Sequence, residues 1–415
     1  MKKLFRRGVV FGLAVLPALA ALNSTAWANS HLEKWPTAKV NTTGLAVTDD
    51  TVTIGILHSI TGSMAISESG SVQAEKLAIK QINDAGGVLG RKIEWIQEDG
   101  ATDWPNFAEK AKKLIVNDKV AAVMGCWTSA SRKAVLPVFE QYNNMLYYPT
   151  MYEGLEASRN VVYTGQEATQ QILAGIDWVV AEKKPKTFYF VGSDYIWPRT
   201  SFKIARKHIE NVYKLKVIGE QYYPLGHTQF NSVINKMKLK KPDVIFSIVV
   251  GGSNVAFYKQ MTGAGVDLTK QTVITISATE DEVRGIGGEN IHGTYMFAKY
   301  FQSLDNPNNK QFVKEFKEMW GDDIVIGDVT NNAYLGPWLW KMAVEKAGSF
   351  DIDRIKEVNP GIEMANAPEG YVRIHETNHH LYSKLRVGRA RLDGQFDVVH
   401  ESELMEPDPF PEGYQ

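Results

Sequence analysis

Residues able to hold a ligand are concentrated in the segment GCWTSASRKAVLPVFE, residues 125–140, where an apolar run gives way to an amphipathic helix pattern. Within it a large aromatic residue, Trp127, is followed by two hydroxyl residues, Thr128 and Ser129. In an open parallel sheet, ligands bind where a strand ends and a helix begins. Either hydroxyl would cap that helix, whose first N–H groups could donate to a ligand. The segment therefore predicts a ligand site, with core packing for Trp127 and capping alone for Ser129 as the alternatives.

A second strand end is predicted in LYYPTMYEG, residues 146–154. Tyr148 and Thr150 are candidate ligand contacts, since a threonine hydroxyl can both donate and accept a hydrogen bond. Tyr152 is a further candidate, and Glu153 is either a carboxylate that supports the site or an exposed loop acid. The large side chains in this segment leave little room at the sheet edge. This crowding favours a very small ligand.

Three segments in the second half of the chain supply further candidates at predicted strand ends. GSDYIWP contains Tyr195 and Trp197, and VVGGSN contains Gly251, which would allow close approach of the backbone. SATEDEV contains Glu280 and Asp281. A carboxylate such as that of Glu280 would accept hydrogen bonds from ligand N–H groups. The alternative role for Glu280 is that of an acid at a helix N-terminus.

Motifs for catalysis, cofactors and metals are missing from the sequence. No G-x-G-x-x-G follows the first predicted strand, and neither a phosphate-binding P-loop, a G-x-S-x-G elbow nor an H-E-x-x-H pair occurs. His379 and His380 are neighbours, and neighbouring residues of a strand point to opposite faces, so they would not chelate one metal. We therefore expect a binding protein without cofactor or metal, rather than an enzyme.

The elements that must position these residues alternate along the chain. Short β-branched strands such as TVTIGILHS are separated by helix patterns such as VQAEKLAIKQINDAGG, which indicates βαβ units and parallel sheets. The pattern restarts near residue 166, so we expect two Rossmann-like lobes. The expected boundaries are these: a loose linker at 29–50, lobe I at 51–165 plus about 294–350, lobe II at 166–293 plus about 351–400, and a tail at 401–415.

Composition and the N-terminus bear on location and partners. The chain has 415 residues and a formal net charge of -1, so it lacks the excess of basic residues that is typical of a nucleic-acid-binding protein. Residues 1–28 have basic residues, then an apolar run, then the cleavage pattern Ala26-Trp27-Ala28, which predicts a secretory signal peptide. Cys126 is the only cysteine, so an internal disulfide is excluded, and a packing role is expected for it.

Several segments carry a resemblance to a known family. The opening TVTIGILHSITGSMA resembles that of type I periplasmic solute-binding proteins of the leucine/isoleucine/valine group, the receptors of ABC importers. GCWTSASRKAVLPVFE, LYYPTMYEGLE, FVGSDYIWPR, SATEDEV and NHHLYSKLRVGRAR are similar to the urea- and short-chain-amide-binding branch of that group, the substrate-binding proteins of urea ABC importers. The resemblance covers nearly all of the chain after the signal peptide. It implies a periplasmic receptor with two α/β lobes, joined by a three-crossover hinge.

The resemblance also implies roles for individual residues. Ser129 matches the ligand-binding serine of the branch, Trp127 lies where the branch has an aromatic residue, and Tyr148 and Thr150 match site positions. Tyr195 would close over the ligand, as the family's tyrosine does. The implied ligand is urea or a short amide, delivered to the permease of an ABC transporter. The alternatives are an amide sensor, a receptor for a branched-chain amino acid and, least favoured, a secreted amidase.

Overall fold

The computed structural model describes residues 35–415, so the predicted signal peptide lies outside the described residues. Two parallel sheets, each covered by helices, form two lobes. A third, small antiparallel sheet packs on the first lobe. No helix in the described part of the chain is both long and apolar enough to span a bilayer.

The first sheet has five parallel strands in the order β2-β1-β3-β4-β5. Its strands are β1 (Thr51–His58), β2 (Lys92–Asp99), β3 (Val123–Gly125), β4 (Leu146–Tyr148) and β5 (Val161–Tyr163). The two inner strands that precede the candidate site, β3 and β4, are short and wholly buried. Their carboxyl ends lie at the same edge, because β3 pairs in parallel with both β1 and β4.

The second sheet has seven strands in the order β15-β14-β10-β9-β8-β6-β7. The parallel strands are β6 (Thr187–Ser193), β7 (Lys216–Tyr223), β8 (Val244–Ile248), β9 (Thr272–Thr275) and β10 (Tyr295–Ala298). The antiparallel edge is formed by β14 (Arg386–Ala390) and β15 (Phe396–Glu401), and the small third sheet by β11 (Glu363–Ala367), β12 (Gly370–Ile374) and β13 (Leu381–Tyr382).

The helices cover both faces of the two main sheets. They are α1 (Thr37–Val40), α2 (Ala65–Asp84), α3 (Trp104–Lys112), α4 (Ser129–Gln141), α5 (Ala174–Lys183), α6 (Ile196–Lys207), α7 (Asn231–Lys240), α8 (Gly252–Gly263), α9 (Glu280–Ile286), α10 (Gly288–Ile291), α11 (Pro307–Trp320), α12 (Asp328–Ala347) and α13 (Ile352–Val358). Three π-helical segments adjoin them: Lys113–Asn117 after α3, Thr169–Leu173 before α5 and His208–Val212 after α6.

The chain crosses between the lobes three times: after β5, after β10 and between β13 and β14. Two parts of the chain differ from the lobes expected from sequence. Strand β10, expected in lobe I, is hydrogen-bonded in the seven-stranded sheet, where it pairs with β9 and β14. Helix α13 and strands β12 and β13, expected in lobe II, contribute side chains to the core of the first lobe.

The segment before β1 is also more ordered than the loose linker expected for residues 29–50. Val40 is fully buried in the first core, and Val47 forms an antiparallel bridge with Val52. The Arg91 guanidinium donates hydrogen bonds to the carbonyl of Trp35 and the hydroxyl of Thr37. Apolar residues in a mostly polar segment therefore anchor it to the first lobe.

Candidate functional site

A strained turn connects β3 to α4 and places Trp127 at the sheet edge. Gly125 has a φ of +143°, and Cys126 has a φ of +61°. The N–H of Cys126 donates to the carbonyl of Leu57 on β1, at 2.7 Å. Helix α4 then begins at Ser129, with Thr128 as its cap: the Thr128 hydroxyl accepts from the N–H of Ser131 at 3.0 Å.

An aromatic box forms where the two lobes meet. The rings of Trp127, from the first lobe, and Trp197, from the second, lie edge to face with centroids 6.5 Å apart. The Tyr195 ring lies 6.5 Å from that of Trp197. Met64 and Met151 of the first lobe belong to the same buried cluster as the second sheet. The lobes are therefore closed on each other around this box, which we define by the rings of Trp127, Tyr195 and Trp197 together with Thr150, the residue before Met151 of that cluster.

The box contains polar atoms that the protein itself does not satisfy. Within residues 35–415, no hydrogen-bond partner is found for Trp127 Nε1, Thr150 Oγ1, Tyr195 Oη or Trp197 Nε1, and all four atoms are buried. Buried polar groups without a partner are uncommon in proteins, so these four atoms are candidates for hydrogen bonds to a ligand. The two indole N–H groups can only donate, whereas the two hydroxyls can donate and accept.

The Tyr195 hydroxyl stays protonated at neutral pH. Burial, together with the neighbouring Tyr148 and the negative charge of Glu153, raises its pKa well above the ordinary value of 10. Tyr195 lies at the start of α6, in the second lobe, whereas Tyr148 is the last residue of β4 and Glu153 follows that strand in the first lobe. The hydroxyl therefore faces the first lobe across the interface.

Ser129 is held in a buried ionic network at the start of α4, two residues after Trp127. Its hydroxyl donates to Glu153 Oε2 at 2.6 Å, and the Arg132 guanidinium contacts both residues, with 3.1 Å to Glu153 Oε1 and 3.2 Å to Ser129 Oγ. Arg132 also pairs with Glu156 Oε1 at 2.7 Å. Glu153 is buried, so it is not the exposed loop acid considered above. Sequence reasoning missed Arg132, although its position one turn after Ser129 on a helix face could have indicated it.

Two predicted tyrosines have their hydroxyls committed to other groups. Tyr148 donates to the carbonyl of Trp127 at 2.7 Å and so orients the backbone that presents the indole. Tyr152 donates to the carbonyl of Glu156 at 2.8 Å and stacks with its ring on Tyr163. This leaves Thr150 as the hydroxyl from this segment that is free to bind a ligand.

The predicted acidic residues lie at the seam between the lobes and at a crossover. Glu280 Oε1 accepts from the N–H of Gln302 at 2.9 Å, just after β10, and burial raises the pKa of Glu280 well above its ordinary value. Asp281 Oδ2 accepts from Gly327 N at 2.9 Å and from the Thr330 hydroxyl at 3.0 Å, both in the first lobe. Asp281 therefore links the two lobes, whereas the second oxygen of Glu280, Oε2, is buried without a partner within the described residues.

We expect Asp281→Asn to stabilise the protein more at pH 8 than at pH 4. Burial, and secondarily the charge of Glu282, raises the pKa of Asp281 from 3.8 to about 7. A raised pKa means that ionisation costs stability, so this cost is absent below about pH 4 and complete above about pH 7. Asparagine keeps an oxygen that can accept both hydrogen bonds and carries no charge. Melting temperatures of both proteins across this pH range measure the difference.

The exposed Asp267 provides a control for which the expected change of stability with pH has the opposite sign. Hydrogen bonds from Thr269 and Lys270 lower its pKa to about 2. Asp267→Asn should therefore lose stability relative to wild type as the pH rises from about 2 to 4, and gain nothing at pH 8. A melting-temperature difference for Asp281→Asn that is constant from pH 4 to pH 8 would contradict the assignment.

Comparison with known proteins identifies the family. Residues 52–415 match the model described as a periplasmic binding protein domain. The chain belongs to the periplasmic binding protein family. Its members bind solutes, so the protein is a solute-binding protein and not an enzyme. Within the described residues, no three His, Cys, Asp or Glu side chains are grouped to hold a metal ion.

Similar curated proteins include full-length relatives. A Leu/Ile/Val-binding protein homolog from Brucella suis is 23% identical over 381 residues, which are 86% of this chain and 93% of that protein. A leucine-, isoleucine-, valine-, threonine- and alanine-binding protein from Pseudomonas aeruginosa is 26% identical over 74% of this chain and 82% of its own. A limonene hydroxylase from Geobacillus stearothermophilus is 40% identical over 118 residues, and this chain spans only 21% of its length.

Solved structures share the fold. A solute-binding protein of an ABC transporter from Rhodopseudomonas palustris, in complex with 3,4-dihydroxybenzoic acid, superposes with a TM-score of 0.77 at 24% identity and covers 86% of this chain and 98% of its own. A branched-chain amino acid transporter substrate-binding protein from Streptococcus pneumoniae, in complex with isoleucine, superposes with a TM-score of 0.75 at 20% identity, over 86% and 100% of the chains. The type I architecture of two lobes and three crossovers is therefore established.

Proposed function

We propose that the protein is an extracytoplasmic receptor that captures urea or a short-chain amide between its lobes and delivers it to the permease of an ABC importer. The observation that carries the proposal is the box of four buried polar atoms without partners, enclosed by indole and phenol rings. Urea is planar, with one carbonyl acceptor and four N–H donors. Indole N–H groups suit the carbonyl, and the hydroxyls of Thr150 and Tyr195 can accept from the amide N–H groups.

A second candidate ligand is a small carboxylate. Isoleucine and 3,4-dihydroxybenzoic acid, found in the two similar structures, each carry a carboxyl group. The donor groups of Trp127 and Trp197 would suit a carboxylate as well as an amide carbonyl. The crowded box favours a smaller molecule than either, because Met64 and Met151 pack into the same cluster as the two indoles.

Titration calorimetry of the protein that lacks residues 1–28 tests the proposal. The panel contains urea, acetamide, formamide, isoleucine and 4-hydroxybenzoate. We expect saturable binding of urea or a short amide, and binding at least about tenfold weaker for the two acids. Tight binding of isoleucine or 4-hydroxybenzoate without binding of any amide would contradict the proposal and show that the ligand is a carboxylate. An ammonia assay on the urea complex should remain negative.

The proposal includes an extracytoplasmic location, which requires that the signal peptide is cleaved. Cleavage after Ala28 would release a mature protein that begins at Asn29. We expect N-terminal sequencing of the exported protein from its native host to read from Asn29. An exported protein that still begins at Met1 would refute the cleavage.

We expect Thr150→Val to weaken ligand binding by about 1–3 kcal/mol, because the substitution leaves a polar ligand group without a partner in a dry site. Thr150 Oγ1 is buried and unsatisfied within the described chain, so removing it costs no internal hydrogen bond. Thr294→Val, at another fully buried threonine outside the box, is the control and should leave affinity unchanged. Calorimetry with urea measures both variants. An affinity for Thr150→Val within twofold of wild type would make Thr150 a packing residue.

A further inference from the structure

Glu153 brings a negative charge to the serine at the start of α4. Its carboxylate accepts the Ser129 hydroxyl at 2.6 Å, and only 2% of the residue is exposed. The Tyr195 hydroxyl of the opposite lobe lies close enough for the charge of Glu153 to affect it. Ser129 follows Trp127 of the box by two residues, so the carboxylate lies next to the turn that presents this indole.

The positive charge that accompanies Glu153 is already neutralised. Arg132 is fully buried and pairs with two carboxylates, Glu153 and Glu156, at 3.1 Å and 2.7 Å. Glu156 has a second partner, Lys133, at 2.8 Å. Two cations therefore face two anions within the network, and Arg132 has no charge left to offer a negatively charged ligand.

We propose that Glu153 is a specificity-determining residue that excludes carboxylate ligands and so restricts the site to neutral amides. Ser129 would have to donate its hydroxyl to a bound carboxylate, but that proton is given to Glu153. A ligand carboxylate would in addition find no free cation in the network, because Arg132 is already paired with both glutamates, and an unpaired charge in a buried site is costly. A neutral amide meets neither obstacle, because it can donate an N–H towards Ser129 Oγ or Glu153.

This inference rests on the proposed amide-binding function, and the comparison of acetamide with acetate tests it most directly. The two molecules have nearly the same shape and differ in charge and in one donor group. For the wild-type protein we expect acetamide to bind at least about a hundredfold more tightly than acetate at neutral pH. The apparent affinity for acetate, counted as acid plus anion, should increase as the pH falls through the pKa of acetic acid, since the neutral acid then replaces the anion.

The variant Glu153→Gln removes the charge and keeps an acceptor for Arg132. It also releases the Ser129 hydroxyl to donate to a ligand, because the glutamine NH₂ can donate to Ser129 Oγ. We expect the ratio of acetamide to acetate affinity to fall by at least about thirtyfold. The matched control is Glu156→Gln, which removes a charge from the same arginine but does not touch Ser129. It should change the ratio by less than about threefold.

The outcomes separate the two proposals. If wild type binds amides but the ratio is the same in Glu153→Gln, or shifts equally in Glu156→Gln, the role of Glu153 is refuted and the function stands. If wild type binds no amide but Glu153→Gln alone gains acetate binding, the function is refuted and the role stands. Equal binding of acetate and acetamide by wild type would refute the role without any variant, so the test survives a variant that fails to fold.

Discussion

Replacing Gly251 with alanine is expected to weaken ligand binding severely while both lobes stay folded. Gly251 precedes α8 in the second lobe, and the N–H of Gly252 donates to the carbonyl of Ser63 in the first lobe at 3.2 Å. A Cβ atom at Gly251 would lie 2.6 Å from that carbonyl oxygen and 2.9 Å from Met64 Sδ. Such contacts do not occur in folded proteins, so the variant cannot adopt the same closed contact. The closed, ligand-holding state therefore becomes less populated.

The expected cost is about 1–3 kcal/mol of closure free energy, the usual range for overpacked contacts, which is roughly a fivefold to 150-fold loss of affinity. Calorimetry measures the affinity, and small-angle scattering with saturating ligand measures the radius of gyration. Gly265→Ala is the control, because Gly265 also has a positive φ, +78°, and no atom within 4 Å of an added Cβ. If both variants bound equally well, the contact with Ser63 would have no role in closure.

The alternation of strands and helices was sufficient to predict two parallel α/β lobes, and the solved relatives confirm this architecture. It did not place β10, because no helix pattern was recognised directly before that strand, where the structure has the four-residue α10, and because its antiparallel partner, β14, follows about 90 residues later. Which sheet such a strand joins depends on hydrogen bonds between distant segments. Local sequence patterns do not contain that information.

The same limit applies to the candidate site. The rule that ligands bind at strand ends indicated Trp127 and Tyr195, which pack in one cluster across the two lobes, and Thr150, which directly precedes Met151 of that cluster. It also indicated Glu280, whose Oε1 accepts from the Gln302 N–H in a crossover and whose Oε2 is buried without a partner within the described residues, so a ligand contact at Glu280 stays a prediction. The pairing of Ser129 with Glu153, 24 residues apart, likewise depends on how α4 packs beside the end of β4.

The turn that presents Trp127 should tolerate no side chain at Gly125. A Cβ atom there would lie 2.1 Å from the carbonyl oxygen of Leu57, the neighbour of Gly125 in the β1–β3 pairing, and φ is +143°. The clash is between the added Cβ and the backbone of a buried neighbouring strand, so it cannot be relieved by turning a side chain. We expect Gly125→Ala to lower the free energy of unfolding by roughly 3 kcal/mol or more, the range of severe steric and backbone strain.

Thermal unfolding is the suitable measurement for Gly125→Ala. Urea, a common denaturant, is also the proposed ligand, so its binding would stabilise the folded state and distort a urea-unfolding curve. Gly44→Ala is the matched control in the first lobe: Gly44 has a φ of +75°, and nothing lies within 4 Å of an added Cβ. The control should lose only about 1 kcal/mol, for the left-handed backbone alone. A loss for Gly125→Ala no larger than that of Gly44→Ala would mean that β1 and β3 can separate at this point. Trp127 would then be held by the hydrogen bond from Tyr148 and not by the turn.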